Sequence, residues 1–122
     1  MTDEYRESGE AVDSVLTALA DPMRRRLLEL LAAQGEATAT TLAQPLPVSR
    51  QAVVKHLGVL DAAGLVSAGR VGREVRYRVR PAALDATARW MAALATDWDR
   101  RLANIKRIAE AAERDARSTR SD

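Results

Sequence analysis

The spacing of apolar residues changes period twice along this chain, and the order of the changes restricts the fold. Up to Gly64 the apolar positions recur at steps of three and four. From Leu65 to Arg80 they alternate, and from Pro81 onward the three-four step returns. A helical stretch, a short period-two stretch and a final helix predict a mainly α chain with a small β-hairpin, an α+β class.

Punctuation residues divide the helical part. A first helix is expected from about Glu10 to Ala20, with Val12, Val15, Leu16 and Leu19 at helical spacing. Asp21-Pro22 is a start signal, because an oxygen acceptor at the N-cap precedes a proline at the first helical position. The second helix carries a stripe of Met23, Leu27, Leu30 and Leu31 and stops at Gly35. A third, short helix from about Thr38 carries Leu42 and Ala43 and is broken by Gln44-Pro45-Leu46-Pro47. A fourth starts with Ser49 as N-cap and ends near Ala63, with Gly64 beyond it. Its inner stripe is Ala52, Val53, His56 or Leu57, and Leu60, and its opposite face shows Arg50, Gln51, Val54, Lys55 and Gly58.

The alternating stretch LVSAGRVGREVRYRV reads as two strands around a turn near Arg70 to Arg73. Val75, Tyr77 and Val79 face one way, and Glu74, Arg76, Arg78 and Arg80 the other. Pro81 opens a last helix to about Glu113, striped by Thr87, Met91, Leu94, Trp98, Leu102, Ile105, Ala109 and Ala112. About 30 helical residues span roughly 45 Å, whereas a domain of this size is only about 30 Å across. Part of that helix is therefore expected to overhang its own subunit and bury its stripe on a second copy. The predicted dimer contacts are Val12, Val15, Leu16, Met91, Leu94, Trp98, Leu102 and Ile105. Trp90, Met91 and Trp98 also admit a ligand-pocket reading, but their place on the stripe favours a core or subunit contact. The chain reads as one domain, 1–122, with a dimerisation helix at 8–20, a central unit at 21–80 and a C-terminal dimerisation helix at 81–115. The first eight and last six residues read as frayed.

Composition excludes several function classes. The chain has 122 residues, 47% of them apolar and 3% aromatic, and no cysteine. That rules out disulfides and thiolate metal ligands. The N-terminal stretch is acidic and polar, unlike a signal peptide. No apolar run approaches the ~20 residues that span a bilayer, so a cytoplasmic protein without a membrane partner is expected. No Ser/His/Asp set, glycine-rich phosphate loop or paired metal ligands appear, so no enzyme is predicted. The charge is unevenly spread. Ser49 to Arg80 holds seven basic and two acidic residues, a net +5, on a remainder of −3. A positive segment on a mildly acidic body is a footprint for a polyanion.

Helix, short turn, helix and basic hairpin is the order of a winged helix-turn-helix. The major groove of DNA admits one helix, and a helix held by Val53, Leu57 and Leu60 offers its wet face to base edges. Ser49, Arg50 and Gln51 lie in its first turn, where such helices meet bases. Arg can bond guanine and Gln adenine through two acceptors, Val54 can meet a thymine methyl, and Lys55 suits a phosphate. His56 reads equally as a DNA contact or a packing residue. Arg70, Arg73 and Arg76 on the hairpin would reach backbone or minor groove. Arg24, Arg25 and Arg26 read as a solvated face, with Glu29 as a partner. A winged-helix module that binds protein instead of DNA is the competing class, and the basic segment argues against it.

Three stretches, ALADPMRRRLLELL at 18–31, VSRQAVVKHLGVLDAAGLV at 48–66 and GREVRYRV at 72–79, resemble the ArsR-type (ArsR/SmtB) bacterial repressors. The resemblance implies a homodimer on double-stranded, inverted-repeat operator DNA, with the helix from Ser49 to Ala63 as reader and 66–79 as the wing. It maps the family's helix-start serine to Ser49, its histidine to His56, its wing Gly-Arg to Gly72-Arg73 and its inward tyrosine to Tyr77. Where metal-sensing members carry a cysteine motif this chain reads TLAQPL at 41–46, and its last helix has Asp85, Asp97 and Asp99 but no histidine. Soft and borderline metals need Cys or His. The chain therefore resembles a metal-independent subgroup, with no metal site and no cofactor expected. Sensing through carboxylates alone is the remaining metal alternative, and no small-molecule effector can be named.

Overall fold

Side-chain caps and glycines set most of the element boundaries. The computed structural model describes the backbone of residues 2–121 and the side chains of residues 9–120. The order is α1 (Thr2–Leu19), α2 (Pro22–Gln34), β1 (Ala37–Thr38), α3 (Ala39–Ala43), α4 (Arg50–Ala62), β2 (Val66–Val71), β3 (Glu74–Val79) and α5 (Pro81–Ser121). Both terminal helices run further than the sequence predicts, and so include stretches expected to fray. Among the described residues no helix is long and apolar enough to cross a membrane.

The Asp21 carboxylate caps α2 by accepting from the Met23 and Arg24 amides at 2.7 and 3.3 Å, with Pro22 opening the helix. Thr38 caps α3 through the Thr41 amide at 3.2 Å, and Ser49 caps α4 through the Ala52 amide at 3.1 Å. At the far end of α4 the Leu65 amide donates to the Leu60 carbonyl and the Gly64 amide to that of Asp61, both at 2.9 Å. Gly64 has φ 76°, so this is a Schellman termination, which needs the left-handed conformation that glycine adopts freely.

β2 and β3 form the expected hairpin, paired antiparallel from Val66↔Val79 to Val71↔Glu74. Gly72, at φ 64°, and Arg73 make the two-residue connection. A glycine with positive φ in first place, followed by a residue with negative φ, fits the primed turns that match strand twist. The sheet has a third strand that the sequence does not announce. β1 pairs antiparallel with β3 through Ala37↔Tyr77 and Thr38↔Arg76, giving the order β1-β3-β2.

Packing divides the chain into two units, Met1–Thr87 and Ala88–Asp122. The first holds a core of Leu27, Leu31, Leu42, Val53, Leu57, Leu60 and Leu65, with smaller residues around it. Ala83 and Leu84 pack against this core, so the start of α5 belongs with it rather than with a separate segment from residue 81. α2 buries Leu28 with Leu27 and Leu31, a wider face than the predicted stripe, because it touches α1, α3, α4 and β3. Val12 and Val15 differ from expectation. They are only 9% and 1% exposed within the single chain, so their side chains offer little surface to a second copy. Leu16, 38% exposed, is the open member of that stripe. The second unit is the remainder of α5. Along it Trp90, Met91, Leu94, Trp98, Leu102, Ile105 and Ile108 are all exposed.

Candidate nucleic-acid interface

α4 divides its residues cleanly between two sides. Val53, Leu57 and Leu60 are fully buried, while Ser49, Arg50, Gln51, Val54, Lys55 and Gly58 are exposed. The predicted reading face is therefore open. The Ser49 cap fixes the first turn from which Arg50 and Gln51 project. Arg50 Nε donates to Thr40 Oγ1 at 3.2 Å, which ties the start of α4 to α3.

Arg50 and Val54 line an open groove of about 550 Å³ together with Arg73, Glu74, Val75 and Tyr77 of the hairpin and Thr38, Ala39, Thr40 and Thr41 of the β1–α3 segment. Residues from helix, turn and wing thus share one concavity. Gln51, Lys55 and Arg70 are not part of its lining. Cross-strand partners share a face, so the pairing Arg70↔Val75 puts Arg70 on the same side as Val75 and Tyr77. Arg76 and Arg78 lie on the other side.

The hairpin cations are not equivalent. Arg76 pairs with Glu74 at 3.2 Å and with Glu36 at 3.8 Å, and Arg78 pairs with Glu36 at 3.0 Å. Arg70, Arg73 and Arg80 have no ion-pair partner among the described residues, and neither does Lys55. Arg76, expected to reach DNA backbone or minor groove, is paired with carboxylates in the free chain. Glu36 lies outside the basic segment, in the connection between α2 and β1, and nothing local in the sequence marks it.

His56 is half-buried, and its Nδ1 lies 3.5 Å from Arg24 Nη1. Its ring belongs to the packed edge of α4, which agrees with the packing alternative. The arginine run splits likewise. Arg26 pairs with Glu29 at 3.6 Å on the surface as expected. Arg25 donates to the Leu19 carbonyl. Arg24, with only 16% of its side chain exposed, donates to the carbonyls of Ala18 and Thr17. These two arginines thereby satisfy carbonyls that the end of α1 leaves open. Desolvation pushes the Asp21 carboxyl pKa up. The amides of Met23 and Arg24, the charge of Arg24 and the nearby His56 ring outweigh it, holding the group below its ordinary value. Among the described residues no group of three or more His, Cys, Asp or Glu side chains is placed to hold a metal ion.

A family model described as a helix-turn-helix domain matches residues 19–67, the span from the end of α1 to the start of β2. The transcriptional repressor SdpR of Bacillus subtilis (strain 168) is 31% identical over 80 residues, 66% of this chain and 88% of that protein. An ArsR-like transcriptional regulator from Rhodococcus sp. RHA1 has a similar structure, with a TM-score of 0.75 at 47% identity over 84% of this chain and 96% of that one. A homodimeric winged helix-turn-helix DNA-binding domain from Mycobacterium bovis, a possible ArsR-family regulator, matches with a TM-score of 0.60 at 30% identity, over 84% and 91% of the two chains. The capped α4, the β2–β3 hairpin and these similarities agree: the chain belongs to the ArsR family of winged helix-turn-helix transcriptional regulators.

Proposed function

We propose that the protein is a homodimeric repressor that binds an inverted-repeat operator, each subunit inserting α4 into a major groove. The observation that carries this reading is the division of α4, with Val53, Leu57 and Leu60 sealed in the core and Arg50, Gln51, Val54 and Lys55 open to solvent. Arg50 and Gln51 read base edges, Val54 meets a thymine methyl, and Ser49 and Lys55 hold phosphate. Arg70 and Arg73 bring the wing to flanking phosphate or minor groove, and His56 orients the helix from its packed edge. Repression is supported by the similarity to SdpR, and dimerisation by the homodimeric relative from M. bovis. The exposed stripe of Met91, Leu94, Trp98, Leu102 and Ile105, and separately the exposed Leu16 of the first unit, are the surfaces we assign to the second subunit. A cytoplasmic location is part of this reading, because operator DNA lies there.

The chain has no cysteine, and soft metals select thiolate, so the reading includes no response to thiolate-bound metal. A gel shift and footprint on the DNA upstream of its own gene test the reading. Two protected half-sites about 34–36 Å apart, one helical turn, are expected of a two-fold dimer. No retarded complex at low salt would contradict it.

A further inference from the structure

The two faces of the hairpin differ in charge for a reason that lies outside it. β1 pairs with β3 at Ala37↔Tyr77 and Thr38↔Arg76, and this antiparallel register brings the preceding residue, Glu36, alongside Arg78. Both carboxylate oxygens are used, Oε1 toward Arg76 at 3.8 Å and Oε2 toward Arg78 at 3.0 Å. Glu74 adds a second contact to Arg76 at 3.2 Å. Arg76 and Arg78 are thus held by Glu36 and Glu74, while Arg80, just past the end of β3, has no ion-pair partner among the described residues. The groove side and the turn carry Arg70 and Arg73 without an ion-pair partner among the described residues.

We propose that Glu36 is a specificity-determining residue of the DNA interface: it occupies Arg78 and, together with Glu74, Arg76, so that the strands and turn of the wing meet a duplex through Arg70 and Arg73. The proposal rests on the DNA-binding reading above. Exposed ion pairs of this kind add little to folding stability. At a DNA surface the same pairs matter differently, because each cation that neutralises a phosphate steepens the salt dependence of binding. Non-specific complexes are held almost wholly by such contacts, whereas base contacts discriminate. In the operator complex the reading helix fixes the orientation, with Arg76 and Arg78 on the face away from the groove. Non-operator complexes are free to adopt orientations in which unclamped arginines would reach phosphate. Glu36 therefore lowers binding to wrong sequences more than binding to the right one.

The test compares wild type, Glu36→Gln, and Glu36→Gln combined with Arg76→Ala and Arg78→Ala. Each is titrated by fluorescence anisotropy on operator and on a scrambled duplex over a range of salt. Glu36→Gln is expected to bind the scrambled duplex several-fold more tightly at low salt. The slope of log K against log salt steepens by about 0.9, one phosphate for the freed Arg78, and by more only as far as Arg76 leaves Glu74. Removing both arginines abolishes the gain. Arg76→Ala with Arg78→Ala in the wild-type chain is an independent arm that leaves Glu36 in place, and it leaves the scrambled-duplex slope nearly unchanged. Equal slopes for wild type and Glu36→Gln, a gain that survives loss of both arginines, or a large slope decrease in that independent arm would overturn the proposal. Any of these, in a protein that still shifts its operator, contradicts the role of Glu36 alone. A wild-type chain that binds no duplex contradicts the functional reading beneath it as well.

Discussion

Arg24 Nε donates to the Ala18 carbonyl at 2.6 Å, so the first turn of α2 closes the end of α1. The same guanidinium reaches the Thr17 carbonyl at 3.3 Å, Asp21 at 3.7 Å and the His56 ring at 3.5 Å. One half-buried cation thereby joins α1, the cap of α2 and the packed edge of α4. Hydrogen bonds to charged groups are each worth roughly 1.5–3 kcal/mol, and Arg24 packs its stem as well. Arg24→Ala is expected to destabilise the fold by about 2 kcal/mol or more in urea unfolding. Arg24→Lys recovers only part, because an ammonium lacks the planar fork. Arg26→Ala, at an exposed pair, stays within about 0.5 kcal/mol of wild type.

The Asp21 carboxyl is held below its ordinary value of 3.8 by the cap amides, the charge of Arg24 and the nearby His56 ring, against desolvation. A depressed folded-state pKa adds stability that is complete above the unfolded value and lost as pH falls through the folded one. Asn is an equally good N-cap residue, so Asp21→Asn isolates the charge. The variant should melt below wild type at neutral pH, and the gap should close as pH falls below about 3.8. A gap that stays constant into acid would contradict the assignment.

Val54 and Leu57 sit one turn apart on α4 with opposite duties. Leu57 is fully buried, and Leu57→Ala should cost roughly 2–5 kcal/mol as a cavity opens. Val54→Ala should change stability by no more than about 0.5 kcal/mol yet weaken operator binding. Chemical unfolding and anisotropy on the same pair of variants separate the two duties.

The exposed stripe of α5 predicts how assembly can be broken without unfolding the subunit. Leu94 and Trp98 are 56% and 58% exposed in the single chain, so Leu94→Glu with Trp98→Glu leaves the core of the first unit untouched. Sedimentation should show a monomer with near-native helix content by circular dichroism. Operator affinity should fall steeply, because the second half-site no longer binds as part of one molecule.

Much of this was legible in the chain because the signals are local. Asp21-Pro22, Ser49 and Gly64 each specify a helix end through groups within a few residues, and the hairpin follows from its alternation and Gly72. The open face of α4 follows from the helical period of Val53, Leu57 and Leu60. What escaped depends on distant partners. β1 has two residues, too few to show a period, and exists only because β3 pairs with it. Glu36 meets Arg78 across 42 positions. Arg24 looks like its neighbours in the run until the end of α1 is beside it. Val15 lies on an amphipathic stripe, and spacing alone does not say whether the apolar partner is the same chain or a second one.

Operator discrimination by α4 is the most direct measurement. Wild type and Arg50→Ala with Gln51→Ala are titrated on the footprinted operator and on versions altered one base pair at a time. Wild type should lose about 1–3 kcal/mol at the contacted positions, and the variant should bind all versions nearly alike while melting as wild type does. Undiminished and equally selective operator binding after removal of Arg50, Gln51 and Lys55 together would contradict the account.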